Sequence, residues 1–422
     1  MEITFLGGAK EVGKSAILVD TGLEKILLDY GCKINVKPTQ YPELVKEKLK
    51  AIIVSHCHLD HSGGIPILYR YGQTCPTFGN EITKPLAKML WKDSYKIARE
   101  EGEEPKFSKR DIKKASKHFQ PVDYREPFKI GKTKVTLFDA GHIPGSCLTL
   151  LETKEKKLLY TGDINLLDTR LIKGADLDLP QVDVLITEST YADREHPDRD
   201  KEERKFVEAV EETLANEGIA LISCFAVARA QEIILILDEF EVRERIYLDG
   251  MAKKATNIIN LFPQLQREYN QVKKALDRLG VKFIKKPEKR KKLLKKPCII
   301  VTTSGMLSGG PVSFYLEHLY EREDCALLLT GFQVPGTEGA TLLQTGRYIH
   351  KDLDLEVKMN VRKFDFSSHA SRSQLFEFVK LVNPSKVFCV HGDNTERFAK
   401  ELREEYGFDA VAPSNSETFE VR

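Results

Sequence analysis

Three imidazoles and a carboxylate crowd into six consecutive positions in Ser55-His56-Cys57-His58-Leu59-Asp60-His61, directly after the apolar run 51–54. A lone histidine is readily satisfied by a neighbouring polar group. A run this dense is not, because every buried ring nitrogen and carboxylate oxygen needs a partner. Histidine and carboxylate together are the N/O donor set that suits a divalent metal such as zinc, and the end of a strand can aim alternate side chains at one point. The chain is therefore expected to build a sheet whose strand ends converge on a metal.

Three further segments repeat this layout. The runs 134–138, 158–161 and 386–390 lead into Asp139-Ala140-Gly141-His142, Gly162-Asp163 and His391-Gly392-Asp393. Each time an apolar strand ends, a small residue opens space and a ligand-type side chain appears. Of the ten histidines, His56, His58, His61, His142, His369 and His391 lie in such places. His118, His196, His318 and His350 stand in polar surroundings and are expected at the surface.

A length of 422 residues exceeds one ordinary core, so two domains are expected. Charged residues at 30% and hydrophobic ones at 41% suit a globular chain rather than a disordered one. The opening residues show no signal-peptide pattern and no apolar stretch approaches bilayer length, so a cytoplasmic protein without membrane contact is expected. Eight scattered cysteines without a CxxC pair read as small buried hydrophobes. Strand-length runs dominate up to about residue 187, with helical patterns over 42–49 and 82–99. The charged stretch 191–204 reads as a surface crossover. From there to about residue 359 strands alternate with helices, which predicts a parallel α/β sheet.

Taken together, HxHxDH, a later Gly-His, a Thr-Gly-Asp and a late Val-His-Gly resemble the ligand set of metallo-β-lactamase-fold hydrolases. The resemblance sharpens in Thr187-Glu188-Ser189-Thr190-Tyr191, Phe366-Ser367-Ser368-His369 and Val390-His391-Gly392, which are similar to motifs A, B and C of the β-CASP ribonucleases. Glu11-Val12-Gly13, Cys224-Phe225-Ala226 with Arg229-Ala230-Gln231-Glu232, and Ser304-Gly305-Met306 extend it over essentially the whole chain. The branch it looks most like is the archaeal relatives of the cleavage and polyadenylation specificity factor endonuclease subunit. Many of these carry N-terminal KH domains, whereas this chain begins at the first hydrolase strand, so the form without them is expected. Asp393 stands where relatives often have Glu.

The resemblance implies an αββα sandwich of residues 1–192 and 361–422, with a β-CASP α/β domain inserted over 193–360, and an active site at the domain junction. It implies two zinc ions, with manganese as the substitute. One is held by His56, His58 and His142, the other by Asp60, His61 and His391, and Asp163 bridges them. Asp29, in Leu27-Leu28-Asp29-Tyr30-Gly31, orients ligands from behind. His369 is the candidate general acid for the leaving 3′-oxygen, oriented by Glu188; its other reading is a further ligand. The implied reaction is hydrolysis of single-stranded RNA to 5′-phosphate and 3′-hydroxyl products, endonucleolytic, in 3′-end processing, transcription termination or decay. The alternatives are a 5′→3′ exoribonuclease of RNase J type and a non-catalytic subunit of an RNA-processing assembly. A homodimer, or an assembly with related β-CASP subunits, is the expected oligomer.

Net charge is only +2, yet residues 282–296 hold nine Lys or Arg against the single acid Glu288. Alone, such a run reads as a solvated face. Beside a phosphodiesterase centre it reads as an RNA footprint, with Lys289, Arg290 and Lys291 at its middle. Arg229, Ser304, Gly305 and Ser308 are the other RNA candidates. The last three sit between a strand and a helix, a layout that either presents backbone N–H groups to phosphate or makes a tight turn.

Overall fold

Apolar runs of strand length at the start of the chain become a meander, Glu2–Gly7, Ala16–Asp20 and Lys25–Leu28, paired antiparallel. In this computed structural model, which describes residues 1–34 and 36–421, they belong to the first of two compact units. That unit comprises Met1–Leu167, Gly174–Glu195 and Ser368–Arg422; the second comprises Asp168–Lys173 and His196–Ser367.

The first unit contains two seven-stranded sheets. One runs from Thr418–Glu420 at its edge through the meander to Ala51–Ile53, Thr77–Gly79 and Phe119–Pro121. The other orders Ala410–Val411, Lys386–Val390, Val184–Glu188, Lys157–Tyr160, Cys147–Glu152, Thr133–Asp139 and Phe128–Ile130. Ile3, Phe5 and Ile26 from the first sheet meet Leu137, Ile186 and Phe388 from the second in one apolar layer. Neighbouring strand residues point the opposite way. Leu185 packs outward with Phe378 and Phe398 of the helices Arg372–Val382 and Thr395–Tyr406. Beside the other sheet, Thr83–Glu100 and Lys109–His118 bury Leu86, Trp91 and Ile112. The layers are helix, sheet, sheet, helix. Strands covered on both faces explain why the central runs are apolar without alternation.

The second unit is a six-stranded sheet, parallel throughout, in the order Lys282–Phe283, Ile246–Leu248, Cys298–Thr302, Ile219–Ser223, Ala326–Leu329 and Asn360–Lys363. Ile300, Leu316, Leu319 and Leu327 contribute to its core. All eight cysteines are buried and free. No described helix is long and apolar enough to cross a membrane.

Four expectations are corrected here. Residues 42–49 are not helical. Val45 and Leu49 are buried at helical spacing, but the backbone is engaged elsewhere: Glu43 N–H donates to Leu6 O, and the Tyr30 hydroxyl to the carbonyls of Pro42 and Glu43. The charged crossover 191–204 already contains the start of the helix Arg199–Ala215, capped by the Asp198 side chain on Lys201 N–H. The second unit extends past residue 360, because Asn360–Lys363 pairs with Ala326–Leu329. It also claims Asp168–Lys173, where the N–H groups of Arg170 and Leu171 each donate to the buried Glu232 carboxylate at 2.8 Å.

Candidate metal centre

Strand Ala51–Ile53 ends at a turn that presents His56, and the short helix Leu59–Ser62 then carries Asp60 and His61, with His58 just before its first residue. Close packing fixes this motif. Gly31 lies so near Asp60 that a Cβ there would overlap the Asp60 carbonyl, which requires glycine. Behind the motif, Asp29 is fully buried and takes a left-handed backbone at φ 57°. One of its oxygens accepts from Ser55 N–H at 2.7 Å, the other from the Ser55 and Tyr160 hydroxyls, each at 2.7 Å. That second oxygen also takes the Nδ1–H of His61 at 2.7 Å, which leaves His61 Nε2 facing forward.

The same device recurs around the site. His142 Nδ1–H donates to Ser368 O at 2.7 Å, and His391 Nδ1 lies 2.7 Å from the Ser15 hydroxyl. Each contact holds one ring nitrogen and aims the other, as supporting hydrogen bonds do at metal-bound histidines. Ser15, Ser55 and Tyr160 carry no signal of this role in the sequence, apart from Ser55 adjoining the motif.

The forward-facing atoms form two clusters, each with its donor atoms within 4.8 Å of one another. In the first, His56 Nε2 and His142 Nε2 stand 3.1 and 3.3 Å from His58 Nδ1. In the second are Asp60, His61 and His391. Asp163 belongs to both. Its Oδ2 is 3.5 and 3.6 Å from the Nε2 atoms of His56 and His142, and its Oδ1 is 3.1 and 3.7 Å from those of His61 and His391. All seven predicted ligands are thus brought together.

The charges in this pocket call for cations. His61 Nε2 and Asp163 Oδ1 are buried 3.1 Å from each other, with no hydrogen bond to any other group among the described residues. Burial, together with the facing imidazoles, pushes His56 and His142 well below the ordinary histidine range, so both rings are neutral with a lone pair free to ligate. Burial would also lower His61, but Asp163 and Asp29 outweigh it and raise that ring well above its ordinary value. Burial would raise Asp163, but the facing imidazoles, His61 foremost, hold it well below the carboxylate range. Three imidazole nitrogens converging on one point would repel one another unless a cation sat between them. The donor set fits a divalent metal in each cluster.

His369 adjoins both clusters and grouped with Asp163 and Glu188 it forms a third donor set. Its Nδ1 lies 3.1 Å from both oxygens of the fully buried Glu188, whose Oε1 also accepts from Ile164 N–H at 2.7 Å. Burial alone would lower the ring, yet Glu188 and Asp163 raise it to about 9.

The candidate RNA residues all belong to the second unit. Arg229 opens the helix Arg229–Glu239 and its guanidinium donates to the Phe366 carbonyl. Lys289 and Lys291 are exposed. Arg290 is a correction: it turns inward, 2.7 Å from the fully buried Asp249, and so is engaged in holding the fold. The Ser304–Ser308 segment behaves as a tight turn. The Ser304 hydroxyl donates to Gly309 O, Leu307 and Gly309 N–H bond within the loop, Ser308 donates to Glu338, and Gly305 packs against Phe225. Of the four histidines expected at the surface none is fully exposed: His118 stacks on Tyr69, His318 on Phe314, His196 faces Asp365 and His350 faces Glu338.

Comparison with known proteins divides the chain in a matching order. Residues 16–189 match the model of a metallo-beta-lactamase superfamily domain, 230–342 a Beta-Casp domain, and 354–413 a Zn-dependent metallo-hydrolase RNA specificity domain. A probable RNase of Methanocaldococcus jannaschii is 42% identical, with 100% of each chain covered. The transcription termination factor FttA of the same organism is 35% identical over 100% of this chain and 72% of its own length. An RNase of Saccharolobus solfataricus is 34% identical over 98% of this chain and 84% of its own. A solved structure from Enterococcus faecalis, of a protein of unknown function, shares the fold at TM-score 0.61 and 16% identity, covering 99% of both chains.

Proposed function

The chain belongs to the β-CASP branch of the metallo-β-lactamase superfamily, and from that premise we propose that it is a metal-dependent ribonuclease. It hydrolyses internal phosphodiester bonds of single-stranded RNA in 3′-end processing, transcription termination or decay, and leaves 5′-phosphate and 3′-hydroxyl ends. The relatives named as RNases and as a termination factor support this reading. The observation that carries it is Asp163, whose two oxygens each face a separate cluster of imidazoles.

Two zinc ions would be the resident metals: His56, His58 and His142 would hold one, Asp60, His61 and His391 the other, and Asp163 is placed to contribute to both. When bound, such a pair supplies Lewis acidity to a water and to the scissile phosphate. The chain's own residues supply the rest. Asp29, Ser15 and the Ser368 carbonyl fix ring orientation. His369, kept protonated by Glu188, gives its proton to the leaving 3′-oxygen.

A non-catalytic subunit would have no reason to keep seven ligands so aligned. An exoribonuclease of RNase J type would use the same residues, and an RNase J-like relative from Methanocaldococcus jannaschii is 35% identical over 93% of this chain. A circular RNA separates the two. Cleavage of a substrate without ends, supported by zinc and abolished by Asp163→Ala, is the expected result. Degradation of linear but not circular RNA would assign the exonuclease instead.

A further inference from the structure

The helix Thr83–Glu100 has two contrasting faces. One buries Leu86, Leu90 and Trp91, and the Trp91 indole N–H donates to Ser62 O at 2.8 Å, next to His61. The other carries Lys84, Lys88, Lys92 and Lys96 at every fourth position, a spacing that lines them along one side, with Arg99 beyond. On the neighbouring helix Lys109–His118, Lys109, Lys113 and Lys117 recur at the same interval. Between the two helices lies a groove of about 680 Å³, where Lys92, Lys96, Arg99 and Lys109 face a single carboxylate, Glu100. Tyr95 also lines it, and Lys109 Nζ sits 6.0 Å from the centre of that ring.

A solubilising helix face mixes both signs of charge and pairs them. Here only Lys96 has an acid, Glu100 at 3.4 Å, while Lys92, Arg99 and Lys109 make no salt bridge among the described residues. The four cations are all exposed. A small anion gains little from any one of them, because water screens each contact. A polyanion that touches several at once releases several counterions, and its affinity grows accordingly. A charged groove combined with an aromatic face is the usual form of a single-strand nucleic-acid track.

We propose that this groove binds the phosphodiester backbone of single-stranded RNA away from the scissile bond, with Tyr95 receiving a base. It is a binding site of the first unit alone, on the side of the helix opposite the one that supports the metal-binding motif. The assignment rests on the ribonuclease reading for its biological ligand, but its test does not depend on cleavage.

The test compares three full-length proteins: the parent; a groove variant carrying Lys92→Gln, Lys96→Gln and Arg99→Gln; and a charge-matched control carrying Lys129→Gln, Lys132→Gln and Lys154→Gln at exposed positions. The probe is a fluorescent uridylate chain of about thirty nucleotides with hydrolysis-resistant phosphorothioate linkages, long enough to engage several contacts. Its affinity is measured by anisotropy across a salt series. Loss of three backbone contacts should lower the salt slope by about 2 in the groove variant, with the control unchanged. Tyr95→Ala should weaken binding by about tenfold without altering the slope, since stacking releases no counterions. Hydrolysis of a dinucleotide, whose single phosphodiester is the scissile one and leaves none for the groove, should proceed at the parent rate in the groove variant. Unchanged slopes, or the same loss in the control, would overturn the groove. So would retained RNA affinity with lost binding of polyglutamate, which would make it a docking site for acidic protein. A parent that binds the long probe through the groove but cleaves no RNA would overturn the ribonuclease reading and leave the groove standing.

Discussion

His369 Nδ1 stands 3.1 Å from each of the two oxygens of Glu188, so a fully buried carboxylate holds the ring by that nitrogen. A carboxylate in that position both orients an imidazole and favours its charged form. Glu188 ends the strand Val184–Glu188, which pairs in parallel with Lys386–Val390, and that second strand leads straight to His391. The carboxylate that holds His369 and the candidate ligand His391 are therefore delivered by adjacent strands of one sheet.

If His369 is the acid, His369→Ala should slow the chemical step by ~10²–10⁴-fold while zinc content stays at the parent value. Misplacement of substrate can cost as much. A substrate with sulfur in place of the scissile 3′-oxygen separates the two, because thiolate departs without a proton. The variant should recover most of its deficit on that substrate. Equal impairment on both substrates would exclude the acid role, and loss of a zinc would make His369 a ligand.

Asp163 faces both clusters, so its loss should be felt by both. Elemental analysis of the parent should give close to two zinc equivalents, and Asp163→Ala fewer than one, with no cleavage. A parent that stays at one equivalent after reconstitution would refute the paired site.

Asp29 holds His61 from behind through a 2.7 Å bond and touches neither cluster's centre. Asp29→Asn should lower zinc affinity by ~10–100-fold, as loss of an outer partner generally does. Competition against a chromogenic chelator measures this directly. An affinity equal to the parent's would show that the ring needs no such support.

Arg290 and its neighbours should part company. Lys289→Ala with Lys291→Ala should leave stability unchanged and flatten the salt dependence of RNA binding by about 1, through loss of two phosphate contacts. Arg290→Ala strips a partner from buried Asp249, though Lys253 remains 3.3 Å away, and should cost roughly 3 kcal/mol of folding stability. Burial would raise the Asp249 carboxyl, but Arg290, together with the Gly250 N–H and the Tyr315 hydroxyl, holds it below the ordinary value. A depressed carboxylate gives its stability in full above its unfolded pKa of about 3.9 and loses it as the pH falls through the folded value. The gap between parent and Arg290→Ala should therefore narrow on acidification, which denaturant titrations at neutral and acid pH will reveal. A gap independent of pH would mean that the loss comes from packing.

What the sequence makes legible follows physical lines. The candidate metal ligands are readable because they cluster just beyond the ends of apolar strands, and strand ends are local features. Ser15, Ser55 and Tyr160 are harder to find, because a hydroxyl that supports a ligand looks like any other hydroxyl until the fold places it. Residues 42–49 have the apolar spacing of a helix, and Val45 and Leu49 are indeed buried, but tertiary hydrogen bonds claim the backbone instead. Arg290 lies in a uniform run of cations and is distinguished only by Asp249, which is 41 positions away. Segment Asp168–Lys173 is polar and loop-like in sequence, and its membership of the second unit depends on Glu232, far along the chain.

His391 N–H donates to Gly8 O at 2.7 Å, Ser15 meets the same ring, and the strand Thr418–Glu420 pairs with Glu2–Gly7. Early residues are thus stitched to residues translated long after them. With His391 among the candidate ligands, a nascent chain carries no finished centre until translation has passed residue 391. An enzyme that cuts RNA would in this way be unarmed while the residues before His391 are being made.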